Sequence, residues 1–223
     1  MYLPAHFAEN DPDLLQAAAT RAPLGMLVTH TADGGLDAQH LPFEWDRAAG
    51  GLGVLRCHVA RANPVWQDAA AANPAQPLPT LVVFRGPDAY VSPSLYPSKQ
   101  THHRVVPTWN YVAVHAHGRI AVHDDPRWLR GLLARLTRRF EAARPAPWKM
   151  GDAPADYLEA QIAQIVGLEI VVERVEGKWK MSQNRTAADQ QGVVDGLAGS
   201  ADPRDRAVAE TMAQVTAPLN TRV

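Results

Sequence analysis

The sequence contains one cysteine, Cys57, in 223 residues, which excludes an internal disulfide and any cysteine-rich metal site. Cys57 lies in an apolar strand pattern, where a thiol packs as a small hydrophobe, so redox chemistry would have to come from a cofactor. Long hydrophobic runs are missing too. No segment approaches the roughly 20 apolar residues that span a bilayer, and the opening MYLPAHFAEND lacks the basic and apolar regions of a signal peptide; the expectation is a cytoplasmic protein with no membrane partner. Nor is there an excess of one charge: 22 basic side chains face 23 acidic ones, so no global electrostatic footprint for nucleic acid is present. The phosphate-loop, H-E-x-x-H and G-x-S-x-G signatures do not occur, and GLGVLR lacks the third glycine and following helix of a dinucleotide fingerprint. His115 and His117 point the same way on a strand, but no carboxylate or cysteine stands at motif spacing, and no metal is assigned.

What is present reads as an α+β chain, mainly β. With 46% hydrophobic residues it can bury one large core or two small ones. Asx-Pro pairs at Asp11-Pro12, Asn63-Pro64, Asp125-Pro126 and Asp202-Pro203 each predict a capped helix start. The clearest helix covers about 126–144, with Leu129, Leu132, Leu133, Leu136 and Phe140 on one side and arginines on the other. Another helix is predicted over 154–165. Strands are predicted at 23–30, 36–45 and 51–60 as an antiparallel meander, then at 78–86, 88–93, 105–117, 118–123 and 167–177. Short strands at this spacing, with helices inserted, predict a barrel.

Several strand ends mix aromatic, basic and amide residues: QHLPFEW, CHVARANPVW, YVSPSLYPSK, VPTWNY and GKWKMSQNR. Such a mixture suits an aromatic ring system that carries a phosphate. The ring takes apolar walls, its edge takes hydrogen-bond donors, and the dianion takes Arg or Lys. Core aromatics with snorkelling cations would give the same composition.

The segments HLPF, HVARANPVW, GPDAYVSPSLYPSK, VVPTWNY, IVGLEI and EGKWKMSQNR, in that order, resemble the PaiB-type FMN-binding negative transcriptional regulators. Leu95 departs from the pattern, where tryptophan is expected. The resemblance covers residues 1–198, which it marks as one FMN-binding split β-barrel domain with peripheral helices. Residues 199–223 match nothing in the family and are read as a C-terminal tail with one peripheral helix. The resemblance implies a homodimer with FMN at the interface. It places His40, Leu41 and Pro42 beside the flavin ring and His58, Ala60 and Arg61 at the ribityl phosphate. It gives Lys99 to the phosphate or the substrate side, and brings Trp109, Asn110, Trp179, Lys180, Ser182 and Gln183 from the other subunit. Three functions stay open. One is a regulator that meets DNA through the arginine face of helix 126–144, since no helix-turn-helix is evident. The others are a flavin-dependent oxidoreductase with an unidentified small substrate and a binding module without turnover.

Overall fold

The computed structural model describes residues 1–71 and 79–216. Along the chain come β1 (Ala8–Glu9), α1 (Pro12–Arg21), β2 (Leu24–His30), β3 (Leu36–Pro42), β4 (Glu44–Asp46), β5 (Val54–Ala60) and α2 (Val65–Ala71). They are followed by β6 (Pro79–Val91), α3 (Ser98–His102), β7 (Thr108–His123), α4 (Pro126–Glu141), α5 (Ala155–Ile162), β8 (Ile165–Lys180), α6 (Ala187–Ala198) and α7 (Pro203–Thr216). All four Asx-Pro pairs open helices through the same contact. The side-chain oxygen accepts the amide two residues on, at 2.8 Å for Asp11, 3.1 Å for Asn63, 3.0 Å for Asp125 and 2.8 Å for Asp202. These bonds satisfy amides that the first helical turn leaves unpaired.

The strands follow the order β3-β2-β6-β7-β8-β5-β4, with β1 beside β8. β2 and β3 form an antiparallel hairpin pairing Leu24 with Pro42 and His30 with Leu36. The predicted meander is corrected at its second strand. The run 36–45 divides at Phe43, whose ring is buried and whose amide donates to Pro23 O (2.8 Å). β4 then pairs with β5, at the opposite end of the sheet from β3. Two predicted strand breaks are also absent, because β6 runs through Gly86-Pro87 and β7 through Gly118. These glycines mark close approach rather than a turn. A Cβ at Gly118 would collide with Val171 O, and one at Gly86 would sit 2.8 Å from Val112 Cβ.

Contacts group the chain into two units. The first is Ala22–Phe84 with His115–Val175; the second is Met1–Arg21 and Arg85–Val114 with the chain from Glu176 onward. The core of the first holds Leu27, Leu55, Leu168 and Ile170, together with Leu129 and Leu132 of α4. Phe43 meets Phe84 edge to face at 5.8 Å. Each such side chain contributes about 1.5–3 kcal/mol on leaving water. The second unit buries Tyr96, Met181 and Val193, and α7 buries Val208, Ala209 and Met212. Leu95 lies against Gly196 of α6.

Candidate functional site

The residues singled out from the sequence separate by unit. His40, Leu41, Pro42, His58, Ala60 and Arg61 belong to the first; Lys99, Trp109, Asn110, Trp179, Lys180, Ser182 and Gln183 belong to the second.

In the first unit, Arg61 follows the end of β5 and is fixed by its backbone before its side chain is considered. Its amide donates to Gln164 O (2.7 Å), and its carbonyl accepts from Trp66 Nε1 (2.9 Å). The guanidinium donates from Nε to Ala163 O (2.8 Å), from Nη1 to Asp124 Oδ2 (2.9 Å), and from Nη2 to Asp124 Oδ1 (2.5 Å) and Ile165 O (3.1 Å). A guanidinium has five N–H groups, so among the described residues one Nη1 hydrogen has no acceptor. The arginine beside it holds the Asp124 carboxyl below the usual carboxylate range. His58 faces Gly167 across the β5–β8 ladder. Its Nδ1 is enclosed without a hydrogen-bond partner among the described residues, and burial lowers its pKa, so the ring is neutral at pH 7. The Trp128 ring lies against Gly167 and stacks on His123 at 4.3 Å and 4°. Ala60 and His40 are exposed, and Leu41 and Pro42 are half-buried on β3. Cys57 is wholly buried, which pushes its thiol pKa up and keeps it inert.

In the second unit, alternation along β8 separates Lys178 and Lys180 from Trp179. Lys180 Nζ donates to Thr108 Oγ1 (2.6 Å) and Trp109 O (2.5 Å). Lys178 Nζ donates to Tyr2 O (3.0 Å) and stands 5.5 Å from the centre of the Tyr111 ring. Neither ammonium meets a carboxylate among the described residues. Burial, then Lys178 and Arg185, lower the Lys180 pKa. Trp109 is 54% exposed, and its ring meets that of Tyr90 in a T-shaped contact at 6.0 Å. Trp179 instead is buried beside Gly177 and Leu15 of α1 shares that space. Asn110 is also turned inward: wholly buried, its amide donates to Ser182 Oγ (3.0 Å) and Met212 Sδ (3.3 Å). Ser182 returns a bond to Asn110 Oδ1 (3.2 Å) and holds a left-handed φ of 64°. Gln183 closes the same turn, accepting from Met181 N (2.7 Å) and donating to Trp179 O (2.5 Å). Lys99 donates to Ser94 Oγ (3.0 Å), within its own local turn.

Sequence reasoning missed Asp124, which carries no signal beyond the Asp-Asp-Pro of a helix cap. Thr108 stands with Trp109 and Asn110 in one hydroxyl, indole and amide cluster of VPTWNY, and Lys178 with Lys180 in KWKMSQN, so both are legible in the sequence. Sequence reasoning also missed how far the arginines of α4 are committed. Arg135 donates to both oxygens of Glu44 (2.7 and 3.0 Å), and Arg130 lies 4.0 Å from Glu159.

The first unit offers an imidazole with an orphaned Nδ1 and an anchored guanidinium, and the second offers ammonium groups that meet no carboxylate among the described residues and an exposed indole. These are donor types that flavin mononucleotide requires. The phosphate calls for the cations, the ring for the aromatic wall, and its polar edge for the donors. A family model described as "Putative FMN-binding domain" matches residues 1–174. The chain belongs to the PaiB-type FMN-binding family. FMN is the cofactor of this family, and the fold is its split β-barrel. The PaiB-type chain is 30% identical over 212 residues to protease synthase and sporulation protein PAI 2 of Bacillus subtilis, covering 95% of this chain and 96% of that one. It is 36% identical over 236 residues to an uncharacterised protein of Aspergillus fumigatus, covering 88% and 90%. Its fold is similar to that of the FAD and heme binding protein of Mycobacterium smegmatis (TM-score 0.53, 19% identity, 86% of this chain and 78% of that one). No helix among the described residues is long and apolar enough to cross a membrane.

Proposed function

We propose that this PaiB-type protein is a homodimer that binds FMN at the interface of its two chains and acts as a negative regulator of transcription. The carrying observation is the donor set, found in a chain of the FMN-binding family. In this reading His58 and Arg61 of one chain serve the phosphate, while His40, Leu41 and Pro42 border the ring. Trp109, Thr108 and Lys180 of the other chain supply an aromatic wall and donors for the polar edge. Trp179, Asn110, Ser182 and Gln183 support that wall from behind. The dimer is supported by β3, which has no buried residue; Leu36 at its start is 71% exposed, and Leu24 of β2, at the other end of the hairpin, is 63% exposed. An edge strand this open is a surface that a second chain covers.

The regulatory part is supported by the relative named for protease synthesis and sporulation. Direct DNA contact would use the exposed arginines of α4, with Arg138 the best placed because Arg135 is held by Glu44. When bound, FMN supplies hydride and electron transfer. A second reading, a flavin-dependent oxidoreductase whose effect on transcription is indirect, is favoured by Lys180, an ammonium poised to release its proton more readily than an ordinary lysine.

The test combines an absorption spectrum with and without added FMN, a light-scattering mass, and band shifts on the protein's own promoter region at low salt. A flavin spectrum with a dimer mass and a salt-sensitive shift upholds the reading. A flavin dimer that shifts no fragment moves the function to the oxidoreductase. A chain that retains no FMN at saturating cofactor removes both.

A further inference from the structure

We propose that Asp124 is a specificity-determining residue of the flavin site, an internal carboxylate that competes with the FMN phosphate for the Arg61 fork. The inference rests on the FMN reading above. A guanidinium recognises a phosphate best through two parallel N–H groups, the same geometry with which it takes a carboxylate. On Arg61 that geometry is already used. Nη1 and Nη2 meet the two oxygens of Asp124 at 2.9 and 2.5 Å, while Nε and the second Nη2 hydrogen are turned to Ala163 O and Ile165 O. Among the described residues one Nη1 hydrogen is left for an incoming anion, so a phosphate that takes the fork must displace the carboxylate.

The displacement is made easy by exposure. The Arg61 and Asp124 side chains keep 37% and 51% of their surface in water, where an ion pair is weak. The arginine is not made free by losing it, because the two carbonyls and the backbone bonds to Gln164 and Trp66 still hold it in place. Asp124 therefore sets how much of the arginine's charge a phosphate receives without being needed to position it. A ligand without phosphate should not sense the residue.

The test compares FMN with riboflavin by flavin-fluorescence titration, in the full-length parent, Asp124→Asn, Arg61→Gln and the double variant. Asp124→Asn should tighten FMN by about two- to fivefold, the range of an exposed ion pair, and leave riboflavin unchanged. In the Arg61→Gln background the same substitution should give no gain, because nothing remains to compete for. Unchanged riboflavin binding in every variant also reports that the chains are folded. Asp124→Asn that weakens FMN would make the carboxylate a support of the site and overturn competition. An equal gain with and without Arg61 would reduce Asp124 to general charge repulsion and overturn it as well. If Arg61→Gln binds FMN as the parent does, the phosphate lies elsewhere and the inference fails while the flavin reading stands. A parent that binds neither flavin sinks the flavin reading itself.

Discussion

The two units carry two cations under opposite electrostatic conditions. Arg61, in the first unit, rests on a carboxylate and two carbonyls at the surface. Lys180, in the second, is partly buried and held by two neutral oxygens, with no carboxylate among the described residues against it and with Lys178 and Arg185 near enough to disfavour its charge. An arginine matched to an anion is positioned but partly neutralised. An ammonium without one is not offset by a partner's charge, and less water screens it. The comparison teaches that the residue best placed by sequence, Arg61, need not carry the larger effect on ligand affinity.

The largest effect is therefore expected at Lys180. Lys180→Met should weaken FMN and riboflavin alike by roughly 100-fold, about 3 kcal/mol, near the upper end for a hydrogen bond from a charged group. Fluorescence titration of both flavins measures it, and loss of FMN affinity alone would place Lys180 at the phosphate instead. The same variant changes the alkaline stability profile. Because the folded pKa of Lys180 lies below its unfolded value of about 10.4, the unfolded chain binds more protons between the two. This group thus makes stability rise with pH through that window. Urea midpoints taken as the pH is raised toward about 10.4 should lose part of that rise in Lys180→Met.

Next in size is Asn110, which sharpens the distinction between ligand contact and support within the second unit. Its amide is fully buried and shared with Ser182 and Met212, so Asn110→Ala leaves the Ser182 hydroxyl short of a partner inside the protein. The expected cost is about 2 kcal/mol of stability without cofactor, measured by urea unfolding. An apoprotein of unchanged stability that binds FMN poorly would turn Asn110 from support into a direct contact.

These placements show how far the sequence could be read. The Asx-Pro helix starts were legible because cap and proline act within three residues. α4 begins at Pro126 as predicted, though it ends at Glu141 rather than 144. The breaks at Gly86 and Gly118 were misread because a glycine admitting a neighbouring strand looks the same in sequence as one making a turn. Of the candidate site, the grouping of cations, amides and aromatics at strand ends was legible. Which face each takes was legible only in part: period two in GKWKMSQN already puts Trp179 opposite Lys178 and Lys180. The Arg61–Asp124 pair was not, since 63 positions separate its members and nothing local marks either as the other's partner.

Arg61 comes third. Arg61→Ala should weaken FMN by about tenfold, the low end for a charge-assisted bond because Asp124 offsets the arginine, and should leave riboflavin untouched. Titration of both ligands checks it. A loss approaching that of Lys180→Met would mean that the carboxylate moves aside at no cost, and the contrast between the units would collapse.

The smallest expected effect is on stability at Asp124. The folded pKa of its carboxyl is lowered, chiefly by the hydrogen bonds from Arg61. Its contribution is therefore fully present above the unfolded aspartate value of about 3.9 and is lost as pH falls through the folded value. Asp124→Asn removes that contribution at neutral pH but has little left to remove in acid. The difference in Tm between parent and variant should be at most about 2–4 °C at pH 7, as expected for one exposed ion pair in a chain of this size, and should close as the solution is acidified below about pH 3.9. Salt should shrink it as well, because both side chains are open to water and their attraction is screened. A larger difference that persists in salt would show a tightly held pair, one that a phosphate could not displace as the flavin site requires.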